Sequence, residues 1–247
     1  MITSIKSERL LVISDLHLGN PFSNAKRRVL PFLRWAAQNN YDVCINGDGL
    51  EIAQASFNKV AFDVPEFFRM LGEVRKRGRD IYYVIGNHDI ALEHFLEDWG
   101  VMIVTPFLNV QSGQTRIRIE HGHVYDPFFV KHPVLYEALT HFAGYLLKIH
   151  PQLYRAWIAF EKFQSRFRTH RGGILGEHPN FCEAAYELTR RGFDAVVFGH
   201  THHAGQVDLA SGGSYFNSGS WMLSGHYVLI EQGRVTLQEW PLKIGSK

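Results

Sequence analysis

Short apolar runs that stop at polar clusters organise this chain. Residues 9–14 (RLLVIS), 41–46 (YDVCIN) and 81–86 (IYYVIG) are almost continuously apolar, the pattern of strands buried on both faces. Between them the period becomes helical. Residues 24–38 (NAKRRVLPFLRWAAQ) predict a helix capped by Asn24, with Pro31 marking a bend. Residues 63–78 (DVPEFFRMLGEVRKRG) predict another, with Asp63 as cap, Pro65 and Glu66 in the first turn, Arg75 to Arg77 in the last and Gly78 as the stop. Strand–helix–strand alternation argues for βαβ units.

Beyond residue 100 the pattern turns antiparallel. VMIVTPFLNV (101–110), the turn QSGQ and TRIRIEHGH (115–123) predict a strand pair with one solvated face, because TRIRI alternates strictly. The C-terminal runs GQVDLA, SYFNSGSW, HYVLI and RVTLQEW predict further strands joined by tight turns. The fold class is α/β: two packed mixed sheets flanked by helices, forming one domain over residues 1–247. Residues 124–179 interrupt it. One helix over 180–192 would suffice to reach the strand DAVVFG (194–199), yet 76 residues separate His123 from His200. The excess predicts a helical cap of two amphipathic helices. One covers roughly 133–149, with Leu135, Leu139, Phe142, Leu146 and Ile149 on a stripe. The other covers roughly 152–168, with Leu153, Trp157, Phe160 and Phe167, and Pro151 divides them.

Composition excludes more than it selects. Charged residues are 20% and hydrophobic ones 45%, ordinary for a globular protein, and a net charge of +2 leaves no electrostatic footprint for nucleic acid. Two cysteines, Cys44 and Cys182, make no disulfide framework, and Cys44 reads as a small core residue. The N-terminus turns polar too early for a signal peptide, and no apolar run approaches the ~20 residues of a membrane span. The expectation is a cytoplasmic protein. Six of the fourteen histidines fall in the polar clusters: His17, His88, His121, His123, His200 and His202.

Those clusters follow the strands. RLLVIS ends in Asp15-Leu16-His17, YDVCING in Asp48 with Glu51 three residues on, and IYYVIG in Asn87-His88-Asp89. TRIRIE ends in His121-Gly122-His123, and DAVVFG in His200-Thr201-His202. Taken singly, each has an ordinary reading as a polar loop, a turn or a helix cap. Five in order at strand ends do not, because the crevice beyond the carboxyl ends of such strands is where ligands bind. Carboxylates, an amide and imidazoles without thiolates suit Mn²⁺, Fe or Zn²⁺.

DLHLG, GDGLE, GNHD, HGH and GHTH, in this order, resemble the motif set of the calcineurin-like metallophosphoesterases. The resemblance implies two divalent metal ions, Mn²⁺ foremost, with Fe, Zn²⁺ or Mg²⁺ as alternatives. Asp15, His17, Asp48 and His202 would hold one; Asp48, Asn87, His121 and His200 would hold the other. Two cations about 3.5–4 Å apart neutralise an anionic phosphoester and lower the pKa of a shared water, whose hydroxide attacks phosphorus. His88 is the candidate general acid, or an imidazolium stabilising the leaving oxygen, and the resemblance makes Glu51 its orienting carboxylate. Asp89 reads as a helix cap or a support for a ligand histidine, and His123 as a neighbour of the metals or a substrate contact.

Residues 125–167 hold eleven aromatics, twice the chain's 13%, and residues 125–171 carry seven Lys or Arg against three acids. Basic, aromatic helices fit a membrane interface or an amphiphilic anionic substrate, although an aromatic stripe is as often a packed cap. The insertion and YFNSGSW (215–221) are similar to the UDP-2,3-diacylglucosamine diphosphatases of lipid A synthesis, whose helical insert covers a lipid-binding crevice. That implies a small-molecule phosphoester substrate, lipid-linked, with peripheral membrane contact through the cap. Alternatives are a phosphatase or phosphodiesterase of soluble nucleotides or phosphoproteins, and a non-catalytic metal-binding scaffold.

Overall fold

The computed structural model describes residues 3–20, 23, 25–54, 57–149, 152, 156, 159 and 177–241. Strands β1 (Ser4–Lys6), β2 (Arg9–Ile13), β3 (Asp42–Asn46), β4 (Ile81–Val84), β5 (Ile103–Thr105) and β6 (Leu108–Ser112) come first, then β7 (Thr115–Ile119), β8 (Ala195–Phe198), β9 (Gly205–Asp208), β10 (Ser214–Asn217), β11 (His226–Glu231) and β12 (Arg234–Glu239). Helices are α1 (Ala25–Gln38), α2 (Phe57–Asp63), α3 (Pro65–Lys76), α4 (Pro127–Lys131), α5 (Pro133–Ile149) and α6 (Pro179–Arg190).

Two mixed six-stranded sheets form, in the orders β1-β6-β7-β8-β10-β9 and β12-β11-β2-β3-β4-β5. In the second, β2 to β5 run parallel and the hairpin of β11 and β12 joins antiparallel to β2. Burial on both strand faces explains the unbroken apolar runs. Leu10, Val12, Cys44 and Val84 face Ile117, Ile119, Val197 and Phe216 of the other sheet. Their neighbours Leu11, Ile13, Val43 and Ile45 pack beneath α1 and α3. Across the sandwich, Val196, Phe198 and Tyr215 pack under Phe181 and Ala185 of α6. Among the described residues no helix is long and apolar enough to cross a membrane.

Two expectations change. The run 101–110 does not form one strand: β5 extends the second sheet and β6 begins the first. Pro106 between them has no N–H for a ladder, and Thr105 Oγ1 donates to the Phe107 carbonyl at 2.7 Å. Asp63 ends α2 instead of capping α3, whose N-cap is Val64, with no side-chain capping bond. Asn24 lies outside the described residues, and Ser23 Oγ accepts from the Ala25 N–H at 3.2 Å. The helix expected over 152–168 falls outside the described residues except at 152, 156 and 159. On α5 the apolar stripe points outwards: Leu135, Leu139 and Phe142 are about half exposed, while Tyr136, Thr140 and Gly144 turn inwards.

Beyond the parallel strands the backbone turns through the left-handed region. Among the described residues, seven non-glycine residues have positive φ, and five are Asp15, His17, Asp48, His200 and His202, at 45° to 65°. For an L-residue that conformation costs of order 1–2 kcal/mol. Of the five, His202 has the most exposed side chain, at 19%. Its truncation therefore leaves little cavity. In the presence of a chelator, His202→Gly is expected to be more stable than His202→Ala by about 1 kcal/mol, read from urea midpoints. Equal midpoints would mean that the loop relaxes once the imidazole is gone.

Candidate metal centre

Main-chain bonds bring the strand ends together. The N–H groups of Asp15, His17 and Leu18 donate to the carbonyls of Gly47, Asp48 and Gly49 at 3.1, 2.8 and 2.9 Å, joining the loop after β2 to the loop after β3. Asn46 Nδ2 donates to the Glu120 carbonyl at 2.8 Å, and the Gly199 N–H to the His121 carbonyl at 3.0 Å, so both sheets share one crest. Glycine is required where the loops touch. A Cβ on Gly47 would lie 2.2 Å from His121 Nδ1, and one on Gly86 would lie 2.2 Å from Asp48 Oδ1.

Two donor groups result, with Asp48 in one of them and within reach of His17 in the other. In the first, His121 Nε2 lies 3.3 Å from Asp48 Oδ2 and 3.2 Å from Asn87 Oδ1, and His200 Nδ1 lies 2.9 Å from the same amide oxygen. The remaining ring nitrogens are spoken for. His121 Nδ1 donates to the Asn46 carbonyl at 2.8 Å, and His200 Nε2 to Asp126 Oδ2 at 3.0 Å. While neutral, each ring therefore turns a lone pair towards an oxygen that is itself an acceptor, a repulsion that a proton on the ring or a cation among the ligands relieves. In the second, His202 Nε2 is 3.1 Å from Asp15 Oδ1, and His17 Nε2 is 4.0 Å from Asp15 Oδ1 and from Asp48 Oδ2. His17 Nε2 is buried without a hydrogen-bond partner, and Asp15 Oδ1 is buried with only the His202 ring beside it. Orphaned buried donors of this kind fit metal ligation.

Electrostatics agree. Burial raises the carboxylates of Asp15 and Asp48, but neighbouring imidazoles outweigh it and hold both below the usual range. Burial likewise acts against His88 and His121 as cations, yet the carboxylates reverse it, chiefly Glu51 and Asp48 for His88 and Asp48 for His121, pushing them to about 10 and about 9. The site demands positive charge.

The structure brings all eleven sequence-derived residues to this crest, widens one role and revises another. Glu51 grips two rings: its Oε1 is 2.6 Å from His88 Nδ1 and its Oε2 2.9 Å from His17 Nδ1. Asp89 makes no side-chain capping bond to the 3₁₀ turn that follows it, and its hydrogen bonds go elsewhere than to a ligand histidine. It accepts from the N–H groups of Gly49 at 3.0 Å and Gly86 at 2.6 Å and from Tyr83 Oη at 2.5 Å, bracing the loops that carry Asp48 and Asn87. His123 stands edge-on to Phe129, 5.6 Å from the His121 ring, with a buried Nδ1 that has no partner.

The sequence profile of the calcineurin-like phosphoesterases matches residues 8–204. The chain belongs to that family. The family typically binds divalent metals, and this member supplies the donors described above. No curated protein sequence matches it. Among solved structures it is similar to wild-type Vps29 complexed with Zn²⁺ from Entamoeba histolytica, at 17% identity and TM-score 0.50, covering 96% of this chain and 94% of that one. It is also similar to a dimetal phosphatase from Danio rerio, at 10% identity and TM-score 0.51, covering 94% and 95%. Likeness at this identity establishes the fold.

Three residues at the site escaped sequence reasoning. Asp126 orients His200, and the only signal was its place three residues after HGH. Tyr136 of α5 accepts from Asn87 Nδ2 at 2.6 Å. Glu177 is buried against Thr201 Oγ1, Tyr215 Oη (2.7 Å) and Asn217 Nδ2 (2.6 Å), tying down the GHTH loop. All three line a cavity of about 590 Å³ with Asp48, His88 and His200.

In this family member Gly86→Ala is expected to displace Asp48 and His121 and weaken metal binding roughly 10–100-fold. Gly72→Ala in α3, where a Cβ meets only Val101 at 3.8 Å, should leave it unchanged. Metal titration of both variants checks this. Burial raises Glu177 from 4.5 to about 7 despite its three hydrogen bonds. The folded state thus keeps a proton that the unfolded chain has lost, and this contribution to stability disappears as pH rises towards 7. Urea midpoints in chelator should shift in favour of Glu177→Gln, relative to wild type, between pH 5 and pH 8.

Proposed function

We propose that the chain is a phosphoester hydrolase working with two divalent cations, Mn²⁺ foremost. The observation that carries this is the position of Asp48, which stands with His121 and His200 on one side and reaches His17, beside Asp15 and His202, on the other. It is supported by the family, and by a fold neighbour described as a dimetal phosphatase. Asp15, His17, Asp48 and His202 would hold one cation, and Asp48, Asn87, His121 and His200 the other. Such cations supply Lewis acidity at a phosphoryl oxygen and lower the pKa of an attacking water.

The chain's own residues do the rest. Glu51 fixes His88 through Nδ1, which leaves Nε2 to face the cavity. As water oxygen bonds to phosphorus, the ester P–O bond breaks, and His88 Nε2 delivers its proton to the departing oxygen. Asp126 keeps His200 in the tautomer whose Nδ1 lone pair faces the site.

An amphiphilic substrate with a diphosphate or phosphodiester, such as a UDP-linked acylated sugar of lipid A synthesis, fits the cap. The favouring observation is α5 itself, whose Tyr136 lines the cavity and which exposes Val134, Leu135, Leu139 and Phe142. In this reading the protein works in the cytoplasm and touches the membrane peripherally. Soluble nucleotides or phosphoproteins are the competing substrates, and a metal-binding scaffold without catalysis is the competing role.

The wild type is expected to bind Mn²⁺ and to hydrolyse bis-p-nitrophenyl phosphate or p-nitrophenyl phosphate. Asp48→Asn and His200→Ala should lose metal and activity together, while His88→Ala should keep its metal and lose about 10²–10⁴-fold in kcat, less for good leaving groups. A wild type with metal but no hydrolysis of either ester would favour the scaffold. Leu139→Glu with Phe142→Glu should slow acylated substrates and spare soluble ones; equal effects on both would remove the amphiphile.

A further inference from the structure

Helix α5 crosses the mouth of the site with one narrow face inwards. Along that face, Gly144 seats on the loop after Glu51, where a Cβ would lie 3.2 Å from Gln54 Cβ. Two turns earlier stands Tyr136. Its ring is held edge-on by Phe129, with centroids 5.1 Å apart, and against Phe128 at 6.0 Å. The helix fixes its direction: its N–H donates to the His132 carbonyl at 2.8 Å, and its carbonyl accepts from Thr140 Oγ1 at 2.9 Å.

The hydroxyl reaches the amide of Asn87. That amide has two sides. Its Oδ1 faces the lone pairs of His121 and His200, and its Nδ2 donates to Tyr136 Oη at 2.6 Å. The phenol oxygen is thus occupied as an acceptor, while its own proton has no acceptor among the described residues. It lines the same cavity as Asp48, His88 and His200. An O–H whose oxygen already accepts a hydrogen bond is polarised into a better donor. What it lacks is an acceptor, and the group that enters this cavity on the hydrolase reading is a phosphoester, whose non-bridging oxygens are anionic acceptors.

We propose that the Tyr136 hydroxyl is a substrate-contacting group of the phosphoester site, donating a hydrogen bond to a non-bridging phosphoryl oxygen from the cap side. The inference rests on the hydrolase reading and adds to it a contact supplied by the cap. It divides the labour: His88 serves the leaving oxygen, Tyr136 the oxygens that stay on phosphorus. It also couples cap and chemistry, because the donor arrives only where α5 is seated.

Tyr136→Phe keeps the ring and its contacts and removes only the donor. In the metal-loaded protein the variant is expected to retain the wild-type metal content and melting temperature. Its affinity for inorganic phosphate, read by calorimetry, should fall roughly 10–100-fold, as for a lost hydrogen bond to a charged group. kcat/KM for p-nitrophenyl phosphate should fall by a similar factor. Tyr145→Phe, on the exposed face of the same helix, should change neither. Unchanged phosphate affinity in Tyr136→Phe overturns the proposal. So does a loss of metal with the hydroxyl, which would make Tyr136 a positioning residue for Asn87. A wild type that binds metal but neither binds phosphate nor hydrolyses either ester overturns the hydrolase reading itself, a failure seen before any variant is measured.

Discussion

Asp48 is the group on which the crest depends. It is buried, its Oδ1 accepts the His88 N–H at 2.9 Å, and its Oδ2 faces imidazoles from both donor groups. One carboxylate cannot satisfy two clusters of lone pairs by hydrogen bonding, since the groups around it are acceptors too. The surrounding structure answers that constraint by fixing three of the ligand histidines from behind: the Asn46 carbonyl behind His121, Asp126 behind His200, Glu51 behind His17. Each of these contacts settles a tautomer, so the lone pairs are aimed before any ion arrives.

The brace beneath is central in position. Asp89 collects the backbone N–H groups of Gly49, Leu50 and Gly86 and the Tyr83 hydroxyl, holding the loops after β3 and β4 at a fixed distance. Burial, and Asp48 beside it, raise its carboxyl to about 6. Repulsion between two buried carboxylates is thereby divided: one faces ligands and stays charged, the other faces backbone donors and binds its proton more tightly.

The sequence made the fold legible wherever burial was two-sided. RLLVIS, YDVCIN, IYYVIG and DAVVFG all became parallel strands within a residue or two, because nothing but a covered sheet tolerates such runs. It misled where one element served two layers: VMIVTPFLNV reads as one strand, but Pro106 breaks it between sheets. Strand β1, only three residues long and paired to β6, carried no periodicity to read. At the crest, residues that announce themselves by type and by place after a strand were visible. Asp126, Tyr136 and Glu177 were not, because each belongs to the cap region or its edge and reaches the site through tertiary packing. Asp89 was visible but misassigned, since a local cap and a long-range brace look alike in one dimension.

The left-handed backbone at Asp15, His17, Asp48, His200 and His202 bears on how this crest would change over generations. Two filters act on each position at once, one on the side chain as a ligand and one on the main chain as a bend. Were metal binding no longer selected, the first filter would vanish and the second would persist. Such lineages would drift towards glycine and asparagine at these five places, not towards the full alphabet, and β-branched residues would stay rare. A descendant that had lost its ions would keep the outline of the crest in its choice of small, turn-tolerant residues.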